Sequence, residues 1–331
     1  MAQPIRVGIV GYGNLGRGVH AALGKTKDMS LVGVFSRRDR ASLTLFDSAA
    51  DVYPYADITQ FKDKIDVLIL CGGSRSDLPE QGPALAAHFN TVDSFDTHAK
   101  IPEYYAAVDA AAKPAGTTAL ISIGWDPGLF SLNRMLGEAI LPDGASYTFW
   151  GKGLSQGHSD AVRRVSGVKA GVQYTIPSEP AIERVRQGER PEFSTRERHV
   201  RECYVVLEEG ADADVVKEAI VTMPDYFADY DTSVYFIDEA TLEQEHAAMP
   251  HGGFVMRSGT TGAAGNGNTQ VIEYSLKLNS NPEFTASVLV AYARAAYRLN
   301  QQGGTGAKTL FDVAPGLLSP QSAATLRKEL L

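Results

Sequence analysis

Cysteine is nearly absent: Cys71 and Cys203 are the only two in 331 residues. So few exclude a disulfide scaffold, and with no C-x-x-C pair they fit two buried thiols in a reducing, cytoplasmic setting. Long apolar runs are missing as well. Nothing approaches the ~18 residues of a membrane span, and Met1-Ala2-Gln3-Pro4 enters a strand without the charged start and apolar core of a secretory signal. Neither a membrane nor a secreted context is expected. Positive charge is in deficit: the formal net charge of −8 disfavours nucleic acid as a partner, so any basic site must be local. There is no H-E-x-x-H and no cysteine cluster, and His246 and His251 lack the helical spacing of a zinc site, so no metal is expected. A serine-hydrolase elbow, G-x-S-x-G, is also lacking. Gly157-His158-Ser159-Asp160 reads instead as a hydrogen-bonding loop.

What is present is ordinary globular material, 44% hydrophobic and 21% charged. The length exceeds a typical domain of ~100–200 residues, which predicts two domains. The chain is organised around the β-branched run Ile5-Arg6-Val7-Gly8-Ile9-Val10, which leads into Gly11-Tyr12-Gly13-Asn14-Leu15-Gly16. This strand, glycine turn and helix start form a dinucleotide-binding signature. Gly11 permits the tight turn, Gly13 lets backbone approach a pyrophosphate, and Gly16 lets the helix pack on the strand. Helix N-terminal N–H groups then face the phosphates.

The second strand, Leu31–Phe35, ends in Ser36-Arg37-Arg38. An NAD site commonly places an acid here for the ribose 2′-hydroxyl, whereas a 2′-phosphate needs cations and hydroxyls. Two guanidinium groups and one hydroxyl, with no acid before Asp39, predict NADP.

Further strands at Ile65–Leu70, Asn90–Val92 and Thr118–Ser122 alternate with helices over Pro83–His88 and Tyr104–Ala112. They complete a Rossmann-type, doubly wound parallel sheet of the α/β class. Ligands bind beyond the carboxyl ends of such strands. Those ends carry Cys71-Gly72-Gly73-Ser74, small enough for a cofactor to lie against the backbone, then Ser94-Phe95-Asp96 and Trp125-Asp126-Pro127. All three segments are counted with the cofactor-binding residues, and Asp96 and Asp126 place two carboxylates on the ligand rim. From about Ser131 the alternation stops. Strands at Ser146–Trp150, Val168–Ile176, Arg198–Leu207, Thr232–Ile237, Gly253–Arg257 and Gln270–Leu278 predict a second, α+β domain on a mixed or antiparallel sheet. A long helix over Phe284–Leu299 follows, then a glycine-flexible stretch at Gly303–Ala307 and a last helix from Pro320. The expected division is 1–125 with 282–331 for the nucleotide, and 126–281 for substrate binding.

The second domain carries polar clusters around Trp150–Asp160, Thr195–Arg201 and Met249–Gly253, among which Arg201 is suited to a substrate carboxylate. Together with Gly124-Trp125-Asp126-Pro127-Gly128, Leu154-Ser155-Gln156-Gly157-His158-Ser159-Asp160, Met223-Pro224-Asp225-Tyr226-Phe227 and Met249-Pro250-His251-Gly252-Gly253, the chain resembles the meso-diaminopimelate D-dehydrogenases along nearly its whole length. The resemblance implies an NADP-dependent homodimer that reversibly deaminates the D-centre of meso-2,6-diaminopimelate to L-2-amino-6-oxopimelate and ammonia, on a branch of lysine synthesis. It makes Asp96 and Asp126 the catalytic partners of the D-amino group, with Trp125 and Trp150 shaping the pocket beside the nicotinamide. It places Gln156 and Gly157 near the D-carboxylate, and Thr175, Arg201, His251 and Asn281 at the distal L-centre. Two other readings keep the same nucleotide motif. One is an NADP oxidoreductase for sugars or aldehydes, whose catalytic lysine in E-K-P is missing where Asp96-Thr97-His98 stands. The other is a non-catalytic NADPH sensor, which needs no polar second-domain cluster.

Overall fold

The computed structural model describes residues 3–263 and 266–331, apart from the side chain of Gln156. Contacts divide the chain into two units, Met1–Leu132 with Pro282–Leu331, and Asn133–Asn281.

The first unit opens with β1 (Ile5–Val10), α1 (Asn14–Leu23), β2 (Met29–Ser36), β3 (Val52–Pro54), β4 (Val67–Leu70), α2 (Leu78–Ala86), β5 (Asn90–Asp93), α3 (Ile101–Ala115), β6 (Thr118–Leu120) and α4 (Leu129–Ile140), the last crossing the division. Covered on both faces, the central strand β4 reads as an unbroken apolar run, and all four of its residues are fully buried. One core under the sheet gathers Val7, Ile9, Val34 and Ile69, and the other gathers Val10, Phe35, Leu68 and Leu70, so alternate residues of each strand serve opposite faces. Helix α3 stops because Gly116 adopts φ +68, with its amide and that of Thr117 bonded back to Lys113 and Ala112.

The second unit holds β7 (Gly144–Trp150), β8 (Gly153–Leu154), α5 (Gln156–Arg163), β9 (Val168–Pro177), α6 (Glu179–Arg186), α7 (Thr195–Arg198), β10 (His199–Leu207), α8 (Ala213–Val221), β11 (Asp231–Phe236), α9 (Glu239–Glu245), β12 (His251–Thr261) and β13 (Asn268–Leu278). It has two sheets where one was expected: a mixed one ordered β11-β10-β9-β8 and an antiparallel one ordered β13-β12-β7. Pairing of β7 with β12, far along the chain, separates them. The loop expected at 157–160 is instead part of α5. Its Ser159 is fully buried and accepts a hydrogen bond from the Gln173 amide at 3.0 Å, so the polar residues that suggested a loop tie a helix to the sheet.

The chain then returns to the first unit through α10 (Asn281–Gln301), β14 (Gly306–Lys308) and α11 (Ala323–Leu330). Buried Arg294 on α10 forks onto Asp28, just before β2, at 2.6 and 2.9 Å, and this pairing holds the Asp28 carboxyl below its usual range. The stretch expected to be flexible supplies β14, whose Ala307 is buried against β6. The first sheet is therefore wholly parallel, in the order β14-β6-β5-β4-β1-β2-β3. Its direction of winding reverses between β1 and β4, which is where such sheets bind ligands. The division expected at 125/126 falls at 132/133, so Asp126 lies in the first unit. The segment after β6 stays with that unit through the Ile123 amide, bonded to the Asp93 carbonyl at 2.8 Å. Among the described residues no helix is long and apolar enough to cross a membrane.

Candidate active site

The glycine turn lies at the reversal point between β1 and β4. Gly11 has φ +85, and a Cβ built on Gly16 would lie 2.3 Å from the Gly11 carbonyl oxygen, so this turn and helix start exclude side chains there. Gly13 differs: a Cβ there meets nothing within 4 Å. No neighbour in the chain demands glycine at 13, but a pyrophosphate lying on the α1 N-terminus would. Gly13 caps α1 without any side-chain hydrogen bond, which suits an anion at that end. The nucleotide site fits the residues present. Tyr12 turns its ring inward, its hydroxyl bonded to His20 at 2.7 Å and to the Phe46 amide at 2.9 Å, so only its backbone borders the turn.

At the end of β2 the Ser36 hydroxyl accepts from the Arg38 amide at 2.9 Å, and Arg38 reaches the Tyr12 carbonyl at 2.6 Å. Arg37 pairs with Asp77 at 2.5 Å. Burial opposes ionisation of Asp77, but the Gly73 amide, the Ser76 hydroxyl and Arg37 outweigh it and hold the carboxyl below its usual range. Both arginines are exposed, and both are anchored beside the loops that would border a nucleotide.

The rim carboxylates sit on loops tied together by short polar side chains. The Ser74 hydroxyl accepts from the amides of Asp96 (2.9 Å) and Thr97 (3.2 Å), joining the loop after β4 to that after β5. Asp96 itself is exposed, while Phe95 is buried and stacks on Tyr104 with centroids 4.1 Å apart. Phe95 therefore offers a nucleotide only its backbone. The segment Gly124-Trp125-Asp126-Pro127-Gly128 makes a tight turn: a Cβ on Gly128 would lie 1.7 Å from the Gly124 oxygen. Trp125 is buried edge-on to Phe130, and Asp126 is half-buried.

In the second unit a row runs across the mixed sheet, Gly153 beside Thr175, Thr175 beside Arg201, Arg201 beside Thr232. Arg201 is buried, donates to the Thr175 hydroxyl and lies 3.9 Å from the Tyr230 ring centroid. Among the described residues it makes no ion pair, and its Nε has no hydrogen-bond partner. Desolvation lowers its pKa, the mark of a buried cation without a counter-charge. His199 and His158 are both pushed down to about 4, first by burial and then by Arg201, and so stay neutral. The imidazole of His251 packs against Gly153, where a Cβ would fall 2.4 Å from its Nδ1. Trp150 stacks on His199 at 5.5 Å and donates its amide to that ring at 2.9 Å. The Asn281 amide bonds the Met249 carbonyl, next to the Pro250-His251 segment. Thr175, Arg201, His251 and Trp150 are thus gathered, whereas the Gln156 side chain lies outside the described residues and Gly157 faces open space.

Residues 124–280 match the model of the diaminopimelic acid dehydrogenase C-terminal domain. Over 327 residues the chain is 64% identical to the meso-diaminopimelate D-dehydrogenase of Lysinibacillus sphaericus, covering 99% of each. The chain belongs to the meso-diaminopimelate D-dehydrogenase family. The structure of C. glutamicum DAP dehydrogenase in complex with DAP superposes with a TM-score of 0.90 at 48% identity, covering all of both chains. An engineered D-amino acid dehydrogenase bound to NADP+ gives 0.84 at 46% identity, covering 99% of this chain and 100% of the other.

His158 and His199, from two of the polar clusters in the sequence, and Tyr230, from neither, surround Arg201, a juxtaposition that no motif marks. His199 was within reach, since it stands two residues before Arg201 on one strand and so shares its face. Asp93 is likewise unmarked by any motif: it is a fully buried carboxylate pushed up to about 6 by desolvation, against which the amides of Phe95 and Ser122 and the Tyr104 hydroxyl work. A carboxyl raised in the folded state favours folding while protonated, below about pH 4, and loses that contribution as pH rises through about 6. Asp93→Asn should therefore gain about 3 kcal/mol on the parent between pH 4 and pH 7, because each tenfold change in proton affinity is worth about 1.4 kcal/mol. Denaturant unfolding across that range checks this; parallel curves for the two proteins would contradict it.

Proposed function

We infer that the chain catalyses NADP-dependent, reversible oxidative deamination of the D-centre of meso-2,6-diaminopimelate, giving L-2-amino-6-oxopimelate and ammonia. The observation that carries the substrate reading is Arg201, a buried cation whose neighbours are a hydroxyl, an aromatic face and neutral imidazoles. A carboxylate is the ligand such a group lacks.

The glycine turn, Ser36, Arg37, Arg38 and the loops at 71–74, 94–96 and 125–127 are assigned to the nucleotide. When bound there, NADP would supply the hydride acceptor for the D-carbon. Asp96 and Asp126 accept hydrogen bonds from the D-ammonium and orient it; one ammonium proton passes to one of these carboxylates or to water before the hydride leaves, and they then hold the water that adds to the resulting carbon–nitrogen double bond and expels ammonia as the carbon becomes a carbonyl. Trp125 and Trp150 exclude bulk water, and Gln156 and Gly157 are assigned to the D-carboxylate. Thr175, Arg201, His251 and Asn281 hold the L-centre, with Arg201 on its carboxylate. We further place the protein in the cytoplasm, where the free thiols of Cys71 and Cys203 persist. We also take it to be a homodimer. Exposed Met135, Leu136 and Ile140 on α4 support burial against a second copy.

The test is meso-diaminopimelate oxidation by the parent and by Arg37→Ala/Arg38→Ala, with NADP and with NAD. The parent should reduce NADP and release one ammonia per turnover; no reaction removes the reading. The double variant should raise the Michaelis constant for NADP about tenfold or more and leave that for NAD nearly unchanged. Equal loss with both cofactors would take the arginines off the 2′-phosphate.

A further inference from the structure

Asp93 is assigned to no ligand, yet it gathers the two backbone segments that carry the rim carboxylates. Its Oδ1 accepts from the Phe95 amide at 2.9 Å and from the Ser122 amide at 3.2 Å, so one oxygen serves both the loop leaving β5 and the segment leaving β6. Its own carbonyl accepts from the Ile123 amide at 2.8 Å. The second segment is thus pinned at two successive residues. Phe95 immediately precedes Asp96, and Ile123 leads into the turn that presents Asp126. Oδ2 accepts from the Tyr104 hydroxyl at 2.7 Å, and the Tyr104 ring stacks on Phe95. One tyrosine therefore steadies both the carboxylate and the neighbour of Asp96.

The surroundings show what this arrangement costs. Ser122 adopts φ +58, unusual for a residue with a side chain, and its hydroxyl is buried without a hydrogen-bond partner. Such local costs persist only where the surrounding structure over-determines them. A buried carboxylate is a poor brace on stability grounds, since apolar packing would serve as well. What an apolar residue lacks is acceptors: three donors converge here on two oxygens.

We propose that Asp93 is a positioning residue for the deamination, fixing the Asp96 and Asp126 backbones relative to each other so that both carboxylates meet the D-amino group. The inference rests on the assignment of those two aspartates to the reacting centre. Asparagine at 93 keeps an acceptor for the two amides, so it preserves the brace; alanine removes it. Tyr104→Phe leaves the Oδ1 acceptor present but frees Oδ2, so the carboxylate that fixes the two amides is itself no longer held and the brace is loosened.

The experiment measures kcat and both Michaelis constants for the parent, Asp93→Asn, Asp93→Ala and Tyr104→Phe, with melting temperatures alongside. Asp93→Ala should lower kcat about tenfold or more with a much smaller rise in the Michaelis constant for NADP, Asp93→Asn should stay within about threefold of the parent, and Tyr104→Phe should lose about three- to tenfold. In an Asp126→Ala background the loss from Asp93→Ala should shrink, because the brace acts through the carboxylate it places. A folded Asp93→Ala with parental kcat, or equal losses from asparagine and alanine, overturns the proposal. Should Asp93→Ala not fold, Tyr104→Phe decides, and parental kcat there overturns it. Failure of the underlying assignment looks different: Asp96→Ala and Asp126→Ala would then themselves turn over at the parental rate.

Discussion

Arg201→Met is expected to raise the Michaelis constant for meso-2,6-diaminopimelate about ten- to a hundredfold and to leave NADP binding untouched. Methionine keeps much of the apolar stem and removes the guanidinium. The substrate carboxylate assigned to Arg201 would then face a hydroxyl, neutral imidazoles and the Tyr230 ring, none of which carries positive charge at neutral pH. The fold should not suffer. Desolvation already lowers the pKa of Arg201 and no carboxylate of the described chain pairs with it, so removing the charge relieves a cost that free protein bears. The discriminating pair of measurements is substrate kinetics with a melting curve. A raised Michaelis constant at an unchanged or higher melting temperature supports the assignment; an unchanged constant at a much lower melting temperature would make Arg201 a structural strut.

Asp126→Ala should depress kcat/KM about ten- to a hundredfold, and Asp96→Ala should do so less severely, each with NADP binding near normal. The ordering follows from burial. Asp126 is half-buried on a turn closed by Gly124 and Gly128, whereas Asp96 is exposed at the head of its loop. A hydrogen bond to a charged group strengthens as water is excluded, so the more enclosed carboxylate loses more when deleted. Single-turnover rates with saturating NADP isolate this step. Parental rates from Asp126→Ala would remove it from the reacting centre, and a reversed order would mean that Asp96 becomes enclosed when substrate binds.

The parallel sheet was legible because its central strands β1 and β4 are largely apolar and run into glycine or small residues. The glycine motif was legible for a related reason: at Gly11 and Gly16 the backbone itself demands glycine, whereas no neighbour in the chain does so at Gly13. β14 was hidden, since three residues after a glycine turn show no alternation. The split of the second unit into two sheets was hidden too, because strand pairing between β7 and β12 leaves no local trace. Helix α5 was masked by its glycine, serine and aspartate, which favour loops unless tertiary bonds such as that from Gln173 to Ser159 recruit them. At the site, the rim aspartates and Arg201 could be read from residue type and place. Asp93 could not. Its importance lies in the convergence of the Phe95 and Ser122 amides on one oxygen, and those residues are distant in sequence.

On the proposed assignment the substrate has opposite configurations at its two ends, one met by Asp96 and Asp126 and the other by Thr175, Arg201, His251 and Asn281. The most direct test of this assignment supplies the pure meso, L,L and D,D isomers of 2,6-diaminopimelate with NADP, following cofactor reduction and ammonia release together. Each of the other isomers presents one end with the wrong handedness to its array of donors. Oxidation of the meso compound is expected to be at least about tenfold faster than that of either other isomer, the separation that one or two misplaced charged hydrogen bonds produce; equal rates with the L,L isomer, or no reaction with meso, would contradict this assignment.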